Sequence, residues 1–303
     1  MAIGNCSLLK ESKIILGAVQ FGCNYGVSNK TGKTPKNEVE KILRYAYKHG
    51  INMLDTAPSY GESESVIGQS INNECWRIIT KTPHFKNDTI GESEIDELLK
   101  SFKLSQKRLG KEVIDGMLIH NCDNIFLPGG EKILKTMEKL KRDGMIKKIG
   151  VSLYRGKQID CLLDNYSIDF VQLPINILDQ RLIHGGQLSR LKKHGVEIHA
   201  RSVFLQGLLL MQSKDISPQF NPMMHALNAF HKEAKEQKMS ALRLALGFVQ
   251  NIDKVDKIVI GVNTLEHMRE IVNSESSTRI NIDKFSNLSA SNALLLNPSN
   301  WRL

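Results

Sequence analysis

One local arrangement appears four times in the sequence: a polar-faced helical segment closes on basic residues and a glycine, and a short aliphatic run follows. The copies are YAYKHG-INMLD at residues 45–55, SQKRLG-KEVIDGMLIH at 105–120, KLKRDG-MIKKIGVS at 139–152 and RLKKHG-VEIHARS at 190–202. Glycine accepts the left-handed backbone that ends a helix, and a cation is favourable at the negative end of the helix dipole. Because the aliphatic runs are short and nearly continuous, they indicate buried parallel strands.

The same alternation extends along most of the chain. Strands are predicted near residues 13–18, 51–55, 76–81, 113–120, 147–151, 168–172, 196–201 and 256–260. Helices are predicted near residues 35–47, 91–108, 130–143, 156–165, 184–194, 239–250 and 264–273, the first with Thr34 as its cap and Pro35 as its first residue. Eight consecutive strand–helix units favour an α/β fold of the closed (β/α)8 type, the TIM barrel, over an open doubly wound sheet.

The domain prediction is a single barrel over residues 1–303. It carries a polar, proline-bearing insertion near 211–223 and a short polar tail after about residue 277. A barrel of roughly 250 residues with such additions accounts for the length. No Gly-x-Gly-x-x-Gly segment follows a predicted strand, which weakens a Rossmann fold.

The chain is basic, with 41 Lys and Arg against 32 Asp and Glu and a net charge of +9. Nucleic-acid surfaces interleave basic and aromatic residues, yet aromatics make up 6% and none interleaves the lysines at 139–142 and 147–148. No apolar run approaches the roughly 18 residues of a membrane helix, and the first residues lack the apolar stretch of a secretory signal. We therefore expect a cytoplasmic protein with neither nucleic-acid nor membrane partners, and an anionic small molecule as the remaining explanation of the charge.

The five cysteines lie far apart, and no C-x-x-C pair or Cys/His cluster accompanies them. Such a pattern is typical of reduced thiols in the cytoplasm, and it gives no support to a metal site.

Reactive side chains follow three successive predicted strands. Asp55 ends the strand INMLD, with Tyr60 in the loop behind it, while Lys81 and His120 end the next two strands. In a barrel of this kind, groups that follow the strands meet at one rim, where active sites lie. We therefore expect these four side chains to come together.

Their chemistry suits proton donation to a carbonyl. A phenol has a pKa near 10, and an adjacent ammonium stabilises the phenolate and lowers that pKa. A carboxylate keeps the ammonium charged and in position, and a neutral imidazole can orient a substrate oxygen. His84, three residues after Lys81, is a further candidate for contacting the substrate.

At these residues the sequence resembles the aldo-keto reductases. The family signature D-T-A-x-x-Y-G stands at residues 55–61, and the family's following helix continues from Gly61 to Gly68. Lys81 and His120 occupy the family's positions after the third and fourth strands. The resemblance runs from about residue 14 to about residue 272, and it implies a (β/α)8 barrel that reduces carbonyls with a nicotinamide cofactor.

The resemblance also implies which residues bind that cofactor. Ser152 and Gln172 would contact the carboxamide, Gln172 and Asn176 match the family's Q-x-x-x-N pattern, and Gln206, Gly207 and Leu208 belong to the loop that wraps the pyrophosphate. Gly261, Val262 and Asn263 open the last helix, where the family binds the adenosine 2′-phosphate. Backbone N–H groups at a helix N-terminus favour an anion there.

Three departures from the family pattern affect the cofactor. Leu153 replaces an asparagine that often contacts the carboxamide, and Arg201 replaces the aromatic residue that commonly stacks on the nicotinamide. The basic residue that grips the 2′-phosphate aligns near His267, with Arg269 two positions on. We expect NADPH to be favoured over NADH, with both accepted.

The substrate is the least constrained part of the prediction. Arg201 and the basic charge would suit an anionic or sugar-derived aldehyde or ketone. A second hypothesis is a nicotinamide-binding regulatory or scaffold subunit with slow or no turnover. The sequence does not predict an oligomeric state.

Overall fold

A computed structural model of the protein describes residues 11–71, 75–274, 280–290 and 293–301. Its strands are β1 (Ile14–Gly17), β2 (Met53–Asp55), β3 (Arg77–Lys81), β4 (Ile114–Ile119), β5 (Ile146–Ser152), β6 (Phe170–Pro174), β7 (Glu197–Arg201) and β8 (Lys257–Gly261). They follow one another in sequence order around a closed barrel. The predicted (β/α)8 barrel is confirmed, and each predicted strand overlaps an observed one.

The helices lie between and after the strands. They are α1 (Lys36–Lys48), α2 (Ser63–Ser70), α3 (Glu92–Leu109), α4 (Glu131–Arg142), α5 (Gly156–Asn165), α6 (Arg181–His184), α7 (Gln187–Lys193), α8 (Met224–Glu236), α9 (Ala241–Gln250), α10 (Leu265–Ser274) and α11 (Ala293–Leu296). The prediction for the start of α1 is wrong by one residue, because Pro35 holds the cap position and Lys36 is the first helical residue. The Thr34 hydroxyl donates instead to the carbonyl oxygen of Asn263, 3.2 Å away.

The four glycines of the repeated arrangement do what the sequence predicts. Gly50, Gly110, Gly144 and Gly195 all have left-handed backbones, with φ between 64° and 79°. A β-carbon on Gly110, Gly144 or Gly195 would meet no atom within 4 Å. Glycine is therefore favoured there by the backbone angle and not by lack of space.

The described chain divides into two compact units. Unit 1 contains residues 11–24, 32–71, 75–151 and 260–272, and unit 2 contains 25–31, 152–259, 273–274, 280–290 and 293–301. Within unit 1, helix α1 buries Val39, Ile42, Leu43 and Ala46, which recur at helical spacing along one face. The single domain of residues 1–303 stays a prediction.

The insertion and the tail both belong to unit 2. The insertion consists of short 3₁₀ turns, including Pro218–Met223, and it is not wholly polar because Phe220 is buried. The tail also differs from the expected polar segment, since Phe285 is buried and its carbonyl oxygen accepts a 2.7 Å hydrogen bond from Nε2 of Gln180. The ring of Trp301 packs edge-on against Phe220, with centroids 4.8 Å apart. The predicted start of the tail, Cys6 and the first ten residues lie outside the described residues.

Candidate active site

A buried lysine is the centre of the candidate site in unit 1. Lys81 ends β3, and its Nζ donates to Oδ1 of Asp55 at 2.7 Å and to the carbonyl oxygen of Thr56 at 2.8 Å. The side chains of Lys81 and Asp55 are 1% and 5% exposed. Two hydrogen bonds and a countercharge at these distances compensate the ammonium for the water that it has lost.

Tyr60 and His120 lie beside this ion pair. The Lys81 Nζ is 4.8 Å from the centroid of the Tyr60 ring, and the Tyr60 and His120 rings meet edge to face with centroids 5.9 Å apart. His120 follows the last residue of β4, and its backbone N–H donates to the Thr82 hydroxyl at 3.1 Å. The structure thus brings together the four side chains that the strand ends predict.

Buried hydroxyl groups fix the loop that carries Tyr60. The Ser63 hydroxyl donates to the carbonyl oxygen of Ala18 at 2.7 Å. Since this uses its only proton, the 2.9 Å bond between the Thr56 and Ser63 hydroxyls must be donated by Thr56. The residues on the two sides of the Tyr60 loop are therefore bonded to each other, and Ser63 fastens the loop to the segment after β1.

Two glycines allow a close approach at the same loop. A β-carbon on Gly22 would overlap the carbonyl oxygen of Tyr60, and Gly61 has a left-handed φ of 56° while lying against Gly22. Larger residues here would push the Tyr60 backbone from its position.

Glu64 ties α2 to the strand that ends at Lys81. Its buried carboxylate accepts a 2.7 Å hydrogen bond from the Thr80 hydroxyl and lies 3.4 Å from the Arg108 guanidinium. The residue directly before Lys81 is therefore held by the helix that follows the Tyr60 loop.

A second imidazole lies at the site. The ring of His84 is 4.1 Å from that of His120, with 33° between their planes. Partial burial, and then the nearby Lys81 ammonium, lower the pKa of His84. The lowered pKa keeps the His84 ring neutral at neutral pH.

Unit 2 holds the residues proposed from the resemblance for the nicotinamide end. Ser152 is the last residue of β5, whereas Gln172 lies within β6 because that strand runs two residues further than predicted, to Pro174. Both are buried. Asn176 is used by the protein itself, since its Oδ1 accepts from the N–H groups of Leu178 and Asp179 and its Nδ2 donates to the carbonyl oxygen of Ser202.

Arg201 ends β7 and is held by its neighbours. Its guanidinium carbon lies 4.1 Å from the centroid of the Tyr154 ring, and the group donates to the Leu153 carbonyl oxygen and to the Ser202 hydroxyl. Among the described residues, no carboxylate pairs with it. The positive charge is therefore fixed in place and only partly exposed.

The segment after β7 has an unusual backbone. Ser202, Leu205 and Gln206 have positive φ values of 59°, 47° and 55°, and Gly207 follows at 91°. Such angles are costly for residues other than glycine and cluster at ligand sites. The buried Oε1 of Gln206 has no hydrogen-bond partner within the described part of the chain. An unsatisfied acceptor on a constrained loop fits a bound ligand with hydroxyl or amide donors. In the same loop, the side chain of Leu208 is buried.

The segment proposed for the adenosine end lies in unit 1. Gly261 ends β8, Val262 is buried, and the Asn263 carbonyl oxygen accepts the Thr34 bond described above. His267 and Arg269 are exposed on α10. The Arg269 guanidinium pairs with Glu266 at 3.3 Å and lies 5.8 Å from the Tyr45 ring centroid.

Comparison with known proteins identifies the protein family. The sequence profile of the Aldo/keto reductase family matches residues 13–293. The chain belongs to the aldo/keto reductase family. Members of this family are oxidoreductases that reduce carbonyl groups of small molecules with the nicotinamide cofactors NADH or NADPH.

Several relatives of this aldo/keto reductase are similar over most of its length. D-arabinose 1-dehydrogenase of Saccharomyces cerevisiae is 25% identical, and the alignment covers 92% of this chain and 87% of the yeast protein. L-galactose dehydrogenase of Arabidopsis thaliana is 25% identical, covering 89% and 86%. Among solved structures, the holo form of an aldo-keto reductase from Bacillus halodurans aligns with a TM-score of 0.75 at 19% identity, over 94% of each chain. The last likeness shows that the fold is shared.

Other features of this aldo/keto reductase bear on partners. No group of three His, Cys, Asp or Glu side chains that could hold a metal ion occurs in the described ranges. Cys23, Cys75, Cys122 and Cys161 form no disulfide within the described residues. None of the described helices combines the length and apolar character needed to cross a membrane. The cytoplasmic location and the lack of a nucleic-acid partner stay predictions.

Sequence reasoning assigned no role to Ser63, Glu64 or Gly22. Ser63 and Glu64 lie in the segment that continues the signature motif. A signal for them was available, because they are polar residues at the start of a helix that follows a reactive loop. Gly22 carried no signal of its own, because its importance comes from a carbonyl oxygen 38 positions along the chain.

Proposed function

We propose that this aldo/keto reductase reduces an aldehyde or ketone to an alcohol, with Tyr60 as the general acid and NADH or NADPH as the hydride donor. The supporting observation is the buried Lys81 ammonium, bound to Asp55 and Thr56 and 4.8 Å from the Tyr60 ring. None of these side chains can supply a hydride, so the set suits the proton half of a reduction.

Each of the four side chains has one task in the proposed reaction. The Tyr60 hydroxyl donates its proton to the carbonyl oxygen, and the Lys81 ammonium stabilises the phenolate that remains. Asp55 keeps Lys81 charged and in position. His120 donates a hydrogen bond to the carbonyl oxygen and orients it. The bound cofactor supplies the hydride that joins the carbonyl carbon, so that carbon and oxygen each gain one hydrogen.

The cofactor residues are part of the same proposal. Ser152 and Gln172 would face the carboxamide, with Arg201 beside the nicotinamide, and Asn176 would hold the backbone of the segment after β6 next to them. The backbone of Gln206, Gly207 and Leu208 would face the pyrophosphate. The adenosine end would lie against Gly261, Val262, Asn263, His267 and Arg269. The left-handed backbone at Gln206 and Gly207 supports this proposal for the loop after β7.

An aldehyde-bearing sugar or an anionic carbonyl is the proposed substrate class. Two relatives that match most of the chain are named for D-arabinose and L-galactose. The Arg201 guanidinium, which no carboxylate neutralises among the described residues, supports a substrate with negative charge.

Oxidation of NADH and NADPH with a panel of aldoses, phosphorylated aldehydes and neutral aldehydes tests the function. We expect at least one aldehyde to give steady-state turnover. Oxidation of a single equivalent of bound cofactor without further turnover would support the scaffold hypothesis instead. No oxidation with any substrate would contradict the proposed reaction.

Replacement of Arg201 by alanine should reduce the preference for a charged substrate. We expect the ratio of kcat/KM for an anionic aldehyde to that for its neutral analogue to fall about tenfold, since a charge-assisted hydrogen bond is lost. Steady-state kinetics on both substrates measures this. Lys193→Ala removes one exposed positive charge from α7 and should leave the ratio as it is; an equal fall in both variants would mean that net charge alone is responsible.

A further inference from the structure

A carboxylate of the protein occupies the N-terminus of the helix that follows the last strand. Oε1 of Glu38, in the first turn of α1, accepts a 2.7 Å hydrogen bond from the backbone N–H of Leu265, the first residue of α10. The two residues are 227 positions apart in sequence. The partial positive charge of a helix N-terminus stabilises an anion, and here the anion is supplied by the protein.

Little of this helix end remains for another anion. The backbone N–H of His267 donates to the Thr264 hydroxyl at 3.2 Å. Leu265 and His267 are two of the first three residues of α10, so two of its first three N–H groups already bind protein oxygens. The hydrogen bond from Leu265 is the main cause that lowers the pKa of Glu38. Glu38 is therefore charged at neutral pH.

The nearby cations are also matched by protein carboxylates. Nζ of Lys41 lies 3.2 Å from Glu38, and Arg269 pairs with Glu266 at 3.3 Å. Each of these two cations is therefore paired with a carboxylate. This balance lacks the excess of positive charge that would attract a phosphate dianion.

We infer that Glu38 makes this protein select NADH over NADPH, by excluding the 2′-phosphate from the end of α10. The inference rests on the proposed function, in which the adenosine end lies against residues 261–269. A carboxylate can accept a hydrogen bond from a ribose 2′-hydroxyl, as acidic residues do in other NAD sites, whereas it repels a phosphate at the same position. NADH then becomes the proposed cofactor in place of NADPH, because the expectation of NADPH rested on His267 and Arg269 and did not count Glu38 and Glu266.

Two ligands that lack the nicotinamide allow the effect of Glu38 on binding of the 2′-phosphate to be measured without the reaction. Calorimetric titration would compare ADP-ribose with 2′-phospho-ADP-ribose, in parallel with kcat/KM for NADH and NADPH. We expect the wild-type protein to bind ADP-ribose at least about tenfold more tightly than the phosphorylated form, and NADH to be the better cofactor by a similar factor.

Glu38→Gln removes the charge while keeping an oxygen that can accept the Leu265 hydrogen bond. This variant should shift both ratios at least about tenfold toward the phosphorylated ligands. Glu40→Gln makes the same charge change two residues along α1 and should leave both ratios within about twofold. Thermal unfolding would show that each variant is folded. Glu38→Ala, which also opens the Leu265 N–H group, should shift the ratios at least as far if the glutamine variant is unstable.

The inference is overturned if the wild-type protein prefers the phosphorylated ligands, or if Glu38→Gln and Glu40→Gln behave alike. If neither ADP-ribose form binds and neither nucleotide is oxidised, the proposed function fails as well. Turnover with a preference for NADPH would leave the proposed function standing and would reject the inference alone.

Discussion

The Tyr60→Phe variant is expected to lose carbonyl reduction by a factor of about 100 or more, because a positioned general acid contributes about 10²–10⁴-fold. The aromatic ring remains, so its packing against Lys81 and His120 should be retained. Only the proton donor is removed. The measurement is kcat/KM for an accepted aldehyde, together with the dissociation constant of the nicotinamide nucleotide.

The nucleotide affinity separates a chemical effect from a binding effect. We expect the dissociation constant of Tyr60→Phe to stay within about twofold of wild type, because an interaction used only in the transition state changes kcat and not ground-state binding. Tyr47→Phe removes a phenol whose oxygen accepts from the Cys75 backbone, and it should retain activity. Turnover of Tyr60→Phe within about twofold of wild type would show that another group donates the proton.

The second large effect is expected from Lys81→Met. This change leaves the Asp55 carboxylate, 5% exposed, without its countercharge. Breaking a buried ion pair by removing one partner costs about 3–5 kcal/mol, so the free energy of unfolding should fall by about that amount. Chemical denaturation followed by circular dichroism would measure it.

A double variant tests the reason for that loss. Asp55→Asn combined with Lys81→Met leaves no buried charge, so it should be more stable than Lys81→Met alone. Both variants should lack activity, because the ammonium that stabilises the Tyr60 phenolate is gone in each. A single variant that loses less than about 1 kcal/mol would mean that Asp55 finds other compensation when Lys81 is removed.

The alternating strands and helices could be predicted from the sequence because each unit carries its own local signals. Gly110 shows this, since a basic turn before it and an aliphatic run after it mark the end of α3 and the start of β4. The grouping of Asp55, Lys81 and His120 followed from the same fact, because strand ends in a barrel share one rim.

Contacts that depend on side-chain orientation could not be predicted. The sequence places His84 three residues after Lys81, but the 4.1 Å approach to His120 depends on how the two loops turn. Periodicity identifies the buried residues of α1, yet it does not say that the partly exposed Glu38 reaches Leu265. The expected preference for NADPH came from His267 and Arg269 on one helix, whereas the proposed preference for NADH comes from Glu38 on another.

The residues that specify the fold precede the strands, and the residues proposed for the chemistry follow the same strands. Gly50 precedes β2 and Asp55 ends it, while Gly110 precedes β4 and His120 follows it. Mutations before a strand therefore bear on whether the strand forms, whereas mutations after it bear on which molecule reacts. Evolution can vary the loops behind the strands to reach new substrates while the helix-ending glycines go on specifying the same barrel.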